Sequence, residues 1–430
     1  MAAGDNALLS ALQRSISVRD NELKATVCSF LFVFILMAAY YVLRPVRDAM
    51  ASDWTDAEVS WLWTINFFIS TVIVAVYGLL VSRVRFSRLV PTVYLGFAAS
   101  FVVFYVMVSN AAGDIVDKSF YVWVSVFALF HVSVFWSFMA DTFNKNQAGR
   151  LFGSIGAGAS LGAIAGPAFT ALFANNLGIQ SLMLIAATML LLPIPLIIAL
   201  QRLKTTELGN QSLTLDDSTK RIGGNPLNGF VEFFTNPYLL GIGLFIILYT
   251  GIGSFVYFEQ KNLLVDYDRA ARTTIYGWRD LAVNTLTFVL AFFVTGRMVN
   301  KLGMPTTLPL VPIVIIAGML ILAFSPVLMI AVGLHVVLRA GNYGLTRPAR
   351  EMLFTQVDHA SRFKTKPVID IVAYRGGDVM MGWLFTGLTQ GLGLGLAAVA
   401  AVGAGIAALW ALVGVMLGRA YERNGVSVDE

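Results

Sequence analysis

The chain has 430 residues, of which 57% are hydrophobic and only 13% are charged, and its formal net charge is +5. A soluble domain cannot bury that much apolar surface, so the composition excludes a soluble globular protein and indicates an integral membrane protein. The only cysteine, Cys28, excludes an intrachain disulfide.

Apolar stretches of roughly 20 residues, the length that crosses a bilayer, recur along the whole chain and predict twelve transmembrane helices in an all-α fold. The first six lie near 25–48, 59–82, 90–109, 119–141, 151–175 and 179–201, and the second six near 237–260, 273–296, 304–324, 327–350, 367–390 and 393–418. We therefore predict a cytoplasmic N-terminal segment (1–24), a six-helix half (25–201), a cytoplasmic linker (202–236), a second six-helix half (237–418) and a cytoplasmic tail (419–430).

The fifth predicted span contains the run GSIGAGASLGAIAGPAF, which is rich in glycine and alanine. Small residues at such spacing allow two helix backbones to approach closely in a membrane. A phosphate-binding loop is the alternative interpretation, but the run lacks both the terminal Lys-Ser/Thr pair and a flanking strand. We therefore expect a close helix contact here.

Basic residues collect on alternate connections between the spans. Excess lysine and arginine marks the cytoplasmic side, so we predict that both termini are cytoplasmic. The positive net charge is then a record of topology, and nucleic acid is not an expected partner. The basic connections contain Arg83, Arg85 and Arg88; Lys145 and Arg150; Arg202 and Lys204; Arg297 and Lys301; and Arg362, Lys364 and Lys366.

The two halves resemble each other in sequence. SRVRFSRLVP after the second span matches GRMVNKLGMP after the eighth, with a shift of 214 residues, and Arg47 meets Lys261 at the same shift. NQAGR and DHASR match at a shift of 212. Two similar six-span halves indicate transport by alternating access, with a site between the halves near the membrane midplane.

The first span ends in YYVLRPVRDAM, which places charges where the chain crosses hydrocarbon. Arg44, Arg47 and Asp48 share one helix face, next to Tyr40 and Tyr41. Ionisable groups inside a span cost several kcal/mol unless they are paired or hydrated, so they indicate function by default. For Arg47 and Asp48, snorkelling to the outer headgroups is the alternative.

The second half contains further charges inside its spans. Those of span 8 form either a structural ion pair or a ligand contact. In span 11, Arg375 and Asp378 are three residues apart and either neutralise each other or contact a ligand. The complete set in this half is Arg279 and Asp280 in span 8, Arg339, Arg347, Arg350 and Glu351 in span 10, and Asp370, Arg375 and Asp378 in span 11.

Across both halves, seven such arginines face five carboxylates, which leaves a positive surplus. Guanidinium is always charged and binds phosphate or carboxylate in a bidentate fashion, so this surplus predicts an anionic ligand. His131, in the middle of span 4, either titrates with a coupled proton or is a neutral, hydrogen-bonded histidine.

Three segments resemble the nucleotide transporter family, which comprises the ATP/ADP translocases of plastids and obligate intracellular bacteria and shorter bacterial relatives. They are YYVLRPVRDAM, FWSFMADTF followed by GRLFGSIGAGA, and RPAREMLFTQVD followed by FKTKPVIDIVAYRGGD. The resemblance implies the major facilitator fold, solute exchange or uptake, and a bacterial inner membrane. It also implies roles for Arg47, where the translocases have lysine, for Asp141, where they have glutamate, and for Glu259 and Lys366.

These observations predict a secondary transporter for a nucleotide or another phosphorylated or organic anion, driven by exchange or by proton coupling. The expected cargo-binding residues are Tyr40, Tyr41, Arg44, Arg47, Arg339, Arg375 and Asp378. The expected gating or coupling residues are Asp48, His131, Asp141, Glu259, Lys261, Arg279, Asp280, Arg347, Arg350, Glu351, Lys366 and Asp370.

Two alternatives remain open at this stage. The first is a transporter of a peptide, siderophore or lipid-like molecule whose arginines form gates, and the second is a membrane receptor or assembly factor that transports nothing. Neither metal-ligand spacing among the histidines nor a nucleophile beside a base is present in the sequence, so we expect no enzyme activity, metal or cofactor. The expected partners are a small anionic solute and membrane lipids, and the expected state is a monomer.

Overall fold

A computed structural model describes residues 18–83, 86–110, 113–210, 228–293, 298, 301–357, 365 and 369–426. Every regular element within these ranges is helical, as the composition predicts. The α-helices are α1 (Leu23–Met50), α2 (Asp56–Arg83), α3 (Phe86–Asn110), α4 (Asp114–Thr142), α5 (Lys145–Met189), α6 (Pro193–Thr206), α7 (Asn228–Thr235), α8 (Pro237–Leu263), α9 (Arg269–Phe293), α10 (Met304–Phe324), α11 (Leu328–Gly341), α12 (Arg347–Leu353), α13 (Gly377–Thr386) and α14 (Leu396–Val426).

Eight helical stretches in the described ranges are long and apolar enough to cross a membrane. One of them, Asn146–Thr206, has 61 residues and turns at Gly178, whose φ of 75° lies in the left-handed region. This glycine lies between the fifth and sixth predicted spans. A residue without Cβ adopts the left-handed conformation without strain, so glycine allows the chain to turn there. The number of membrane crossings stays a prediction.

Three π-helical segments interrupt the helices of the second half. They are Asn342–Thr346, between α11 and α12, and Ile369–Gly376 and Gly387–Gly391, which flank α13. A π segment widens the helical turn and is frequent at functional sites. Two of the three adjoin the charges that the sequence places in spans 10 and 11.

The chain forms two compact units that differ from the sequence halves. Unit 1 consists of Met1–Met50, Phe68–Lys220 and Arg269–Leu281, and unit 2 of Ala51–Phe67, Arg221–Asp268 and Ala282–Glu430. Each unit thus contains a short piece from the opposite half, which we call the exchanged segments: Arg269–Leu281 in unit 1 and Ala51–Phe67 in unit 2. Phe67 and Leu281, where these segments end, lie 214 residues apart, which is the shift of the sequence repeat.

Within unit 1, α1 packs closely against α5. Three glycines, four residues apart on α5, face the backbone of α1, and a Cβ on any of them would collide with a carbonyl oxygen there. The contact predicted from the glycine-rich run is therefore present. The glycine and carbonyl partners are Gly158 with Phe30, Gly162 with Phe34, and Gly166 with Ala38.

Within unit 2, α8 is surrounded by other helices, and its residues from Tyr249 to Lys261 are all buried. A Cβ on Gly377 would collide with Thr250 Oγ1, so the glycine at the start of α13 allows this helix to lie close to α8. The contact brings the last π residues before α13 near Tyr249.

Candidate functional site

The charges at the end of α1 form an ion cluster with the exchanged segment of unit 1. We use this name for Arg44, Arg47, Asp48, Arg279 and Asp280. Asp48 is 1% exposed and accepts hydrogen bonds from Arg47 Nη2 at 2.6 Å and from Arg279 Nη2 at 2.8 Å. Arg279 is equally buried and donates through Nε to Asp280 at 2.9 Å. These contacts join the ends of two spans, the first and the eighth, that belong to different sequence halves.

The arginines of the ion cluster differ in how tightly they are held. Arg47 donates to Asp48 and to the Ser125 hydroxyl. Arg44 approaches Asp280 at only 3.5 Å and Asp48 at 3.9 Å, and its guanidinium lies 5.6 Å from the ring centroid of Tyr41. Arg44 is therefore the guanidinium of the cluster whose contacts with the carboxylates are most easily replaced by a ligand.

The predicted residues Tyr40 and His131 lie one turn further into unit 1. Their rings are stacked with centroids 4.6 Å apart. His131 Nδ1 lies 3.0 Å from the carbonyl oxygen of Phe127 and so donates to it, while Nε2 is buried without a hydrogen-bond partner among the described residues. In this conformation His131 is a hydrogen-bonded core residue beside Tyr40.

A second ion pair ties the exchanged segment of unit 2 to the end of α8. Lys261 Nζ lies 2.7 Å from Asp56 Oδ1, and both side chains are almost completely buried. Asn262 and Thr389 donate to the same carboxylate at 3.1 Å and 2.9 Å. Asn262 is the repeat counterpart of Asp48, which contacts Arg279, so corresponding positions of the two halves contact the other half's second span.

Glu259 lies two residues before Lys261 of this ion pair and is completely buried. Neither of its carboxyl oxygens has a hydrogen-bond partner among the residues that the structure describes. A buried carboxylate without a donor costs much more than a paired one, so Glu259 stands out from the other acids of the chain.

Unit 2 also contains a group of arginines and tyrosines around the π segments of spans 10 and 11. Arg339 donates to the Tyr343 hydroxyl at 3.3 Å, and Arg350 donates to the Tyr374 hydroxyl at 3.1 Å and to Glu351 at 2.7 Å. The rings of Tyr249 and Tyr374 meet edge to face, 6.1 Å apart. We call this group the arginine–tyrosine site and define it as Tyr249, Arg339, Tyr343, Arg350, Tyr374, Arg375 and Asp378.

Arg375 and Asp378 lie in this site without forming an ion pair with each other. Both are half-buried, and within the part of the chain that the structure describes neither makes a hydrogen bond or an ion pair. Their polar atoms are accessible, and the Asp378 carboxylate is within electrostatic range of Arg375 and Arg339. The site thus presents a guanidinium and a carboxylate that make no hydrogen bond or ion pair with any described residue.

The remaining predicted residues lie elsewhere. Asp141 accepts from Lys204 at 2.8 Å within unit 1, so this pair braces α4 against α6. Arg347 is exposed at the start of α12. Lys366 and the side chain of Asp370 fall outside the described residues.

Sequence reasoning missed Asp56 and the three tyrosines of the arginine–tyrosine site. Asp56 reads as one of several acids in an outer connection, and its partner is 205 residues away. Tyr343 and Tyr374 had a local signal in the sequence. Tyr343 follows the in-span Arg339 by four residues, a helical spacing, and Tyr374 directly precedes the in-span Arg375.

The sequence profile of the Major Facilitator Superfamily matches residues 29–359 of the chain. No curated protein is significantly similar to it in sequence. Among solved structures, a bacterial homologue of the human lysosomal transporter Spinster, in an inward-facing and unoccupied conformation, is 14% identical with a TM-score of 0.61, over 95% of this chain and 99% of that one. The nucleoside transporter NupG is 12% identical with a TM-score of 0.64, over 93% and 99%. At such identities the likeness shows the fold alone.

Proposed function

Because the chain belongs to the Major Facilitator Superfamily, we propose that it is a secondary active transporter that moves an anionic solute by alternating access. The cargo class is a nucleotide or another phosphorylated or organic anion, and ATP/ADP exchange is the narrower case suggested by the family resemblance. We place the protein in a bacterial inner membrane as a monomer with both termini cytoplasmic.

The unpaired guanidinium of Arg375 is the observation that carries this proposal. A charge inside a span is stable only when it is paired or hydrated, and Arg375 makes no hydrogen bond or ion pair with the described residues. An anion supplies the missing partner, since guanidinium binds phosphate and carboxylate groups with two parallel hydrogen bonds. Arg339 in the same site is the next contact for the anion. We also assign cargo binding to Arg44 of unit 1, which is loosely held by its carboxylates.

The ion cluster and the pair Lys261–Asp56 serve as the outer gate in this proposal. Both hold the exchanged segments, and both must break before the outer ends of spans 1 and 8, or 7 and 2, separate. Cargo drives this change only through its different affinity for the two conformations. We assign the inner gate to Arg347, Arg350, Glu351, Lys366 and Asp370, while Asp141 acts as a brace within one half.

Glu259 supports proton coupling as the energy source. A completely buried carboxyl group without a donor gains from binding a proton, and Glu259 lies two residues before the gate residue Lys261 on α8. Uptake and release of a proton at Glu259 would then accompany opening of the outer gate.

A ligand screen on detergent-purified protein tests the anionic cargo. Nucleotides, phosphate esters and organic anions are added singly, and a ligand that prefers the folded state raises the melting temperature. We expect a shift that disappears in Arg375→Ala and persists in Lys118→Ala, a control on the outer surface where Lys118 pairs with Asp114. If no anion shifts the wild-type protein or enters liposomes that contain it, the anionic cargo is wrong.

The second candidate is a transporter of a peptide, siderophore or lipid-like molecule whose arginines form gates. The observation in its favour is that Arg47 and Arg279 are already held by carboxylates. It predicts that Arg375→Ala leaves ligand affinity unchanged and shifts the balance between conformations.

A further inference from the structure

The Asp378 carboxylate is unexpected in a site for an anion. It lies within electrostatic range of both Arg339 and Arg375 and so reduces the attraction that these guanidiniums exert on a negative ligand. A site that recognised negative charge alone would bind more tightly without it.

Neither helix geometry nor ion pairing accounts for this carboxylate. Asp378 and Arg375 are three residues apart, a spacing at which an ion pair forms easily on a regular helix. The structure places the end of the π segment Ile369–Gly376 between them, and they do not pair. The acceptor oxygens of Asp378 are therefore accessible near the Arg375 guanidinium but do not form an ion pair with it.

An ionised carboxylate only accepts hydrogen bonds, so its partner in a complex must bring a donor. The hydroxyls of Tyr249, Tyr343 and Tyr374 are electrostatic neighbours in the same site and add groups that both donate and accept. Besides Arg350, which is held by Glu351 and Tyr374, the site contains two guanidiniums, one carboxylate without a hydrogen bond and three hydroxyls. This set matches a ligand with a negative end and its own hydroxyl or amino groups.

We propose that the cargo is an anion that carries hydrogen-bond donors, such as a phosphorylated or carboxylated polyol, and that Asp378 accepts from those donors while Arg375 binds the negative group. This inference rests on the proposed function and narrows its substrate class. Alkyl phosphates and simple fatty acids satisfy Arg375 but leave Asp378 facing only negative charge, so we expect them to bind less tightly.

Two matched ligand pairs test the proposal on the full-length protein. Ribose 5-phosphate is compared with pentyl phosphate, and gluconate with hexanoate, because each pair shares its anionic group and its number of carbon atoms and differs chiefly in oxygen groups that include hydroxyl donors. We expect the hydroxylated member of at least one pair to bind about tenfold or more tightly, the range for hydrogen bonds to a charged acceptor.

Three variants distinguish the proposed role of Asp378 from the anionic cargo itself. Asp378→Ala is expected to reduce the preference within a pair to about one, while it leaves the binding of the hydroxyl-free member unchanged or tighter. Arg375→Ala is expected to weaken both members equally, and Asp114→Ala, which removes an exposed carboxylate, to change neither. Equal binding of both members by the wild type, or an unchanged preference in Asp378→Ala, overturns the inference and leaves the anionic cargo intact. Failure of all four ligands, together with the broad anion screen, overturns both.

Discussion

Asp48 is the residue on which the ion cluster depends. Its two oxygens accept from Arg47 and Arg279 and lie near Arg44, so one buried carboxylate neutralises part of three guanidiniums. Removal of one partner from a buried pair is far more damaging than loss of a surface pair, because the other charge stays desolvated.

We expect Asp48→Asn to lower the free energy of unfolding by about 3 kcal/mol, at the lower end of the range for buried pairs because Arg279 keeps its contact with Asp280. Equilibrium unfolding in detergent measures the change. Asp114→Asn, which breaks the exposed pair with Lys118, is the matched control and should change stability by less than about 1 kcal/mol. Equal effects would contradict a structural role for the buried cluster.

Glu259 gives a residue-scale prediction about energy coupling. Glu259→Gln keeps the shape of the side chain but cannot take up a proton, so we expect uptake driven by a pH gradient to be lost and exchange of cargo across liposomes to continue. Transport assays with and without an imposed gradient separate the two. Retention of gradient-driven uptake in the variant would exclude Glu259 as the coupling group.

Residue-scale prediction from sequence succeeded where contacts are local. The face shared by Arg44, Arg47 and Asp48 follows from helical spacing alone, and the structure shows these side chains together. The interaction of Asp56 with Lys261 could not be predicted from the sequence, because it depends on the exchanged segment Ala51–Phe67, which packs with residues of the second half. The absence of a pair between Arg375 and Asp378 also needed the structure, since their spacing permits either result.

At the scale of helices, the glycine stripe on α5 shows how a sequence pattern becomes a packing contact. Three glycines four residues apart meet three carbonyl oxygens of α1 at the same spacing, so the backbones approach as closely as the missing side chains allow. Other glycines of α5, such as Gly156, have no neighbour within 4 Å of a Cβ position.

We therefore expect Gly162→Ala to destabilise the protein by about 1–3 kcal/mol, because its Cβ overlaps the Phe34 carbonyl oxygen and the helices must separate. Gly156→Ala on the same helix should instead be neutral or stabilising by up to about 1 kcal/mol, since alanine favours a helix more than glycine does. Thermal unfolding of the two variants measures the difference, and a similar loss in both would show that the stripe is not a packing contact.

Prediction of the helices was good wherever apolar length and turn chemistry agreed. The predicted fourth, seventh and ninth stretches coincide with α4, α8 and α10 to within about five residues. The π segments were not predictable from hydropathy, because they differ from α-helix by one backbone hydrogen-bond register and leave the apolar pattern almost unchanged.

At the scale of the whole molecule, the exchanged segments turn a sequence repeat into contacts between the halves. Gly277 of one segment lies against Ala171 of α5, and Trp63 of the other lies against Tyr257, Phe258 and Gly382. Trp63 and Gly277 are repeat counterparts. At this position the packing contact of the exchanged segment is therefore made by a large residue in one half and by the smallest residue in the other.

A cross-link tests whether these contacts must open during transport. A Cβ on Gly277 would lie 2.8 Å from the backbone nitrogen of Ala171 and 3.2 Å from its Cβ, so two cysteines here must push the backbones slightly apart to reach the Cβ spacing of about 3.8 Å in a disulfide. In a Cys28→Ser background, we expect Ala171→Cys with Gly277→Cys to form a disulfide that stops transport and to recover when it is reduced. Undiminished transport by the oxidised protein would show that this segment stays in place throughout the cycle.

The exchanged segments also determine when, during synthesis, the buried charges find their partners. Asp56 precedes Lys261 by 205 residues, and Asp48 precedes Arg279 by 231. A ribosome that adds about 5–20 residues per second needs roughly 10–50 s to cover that distance. During this time the first half of the chain lacks the partners Lys261 and Arg279, so a nascent chain that stalls between the predicted halves presents incompletely paired charges at Asp56 and Asp48.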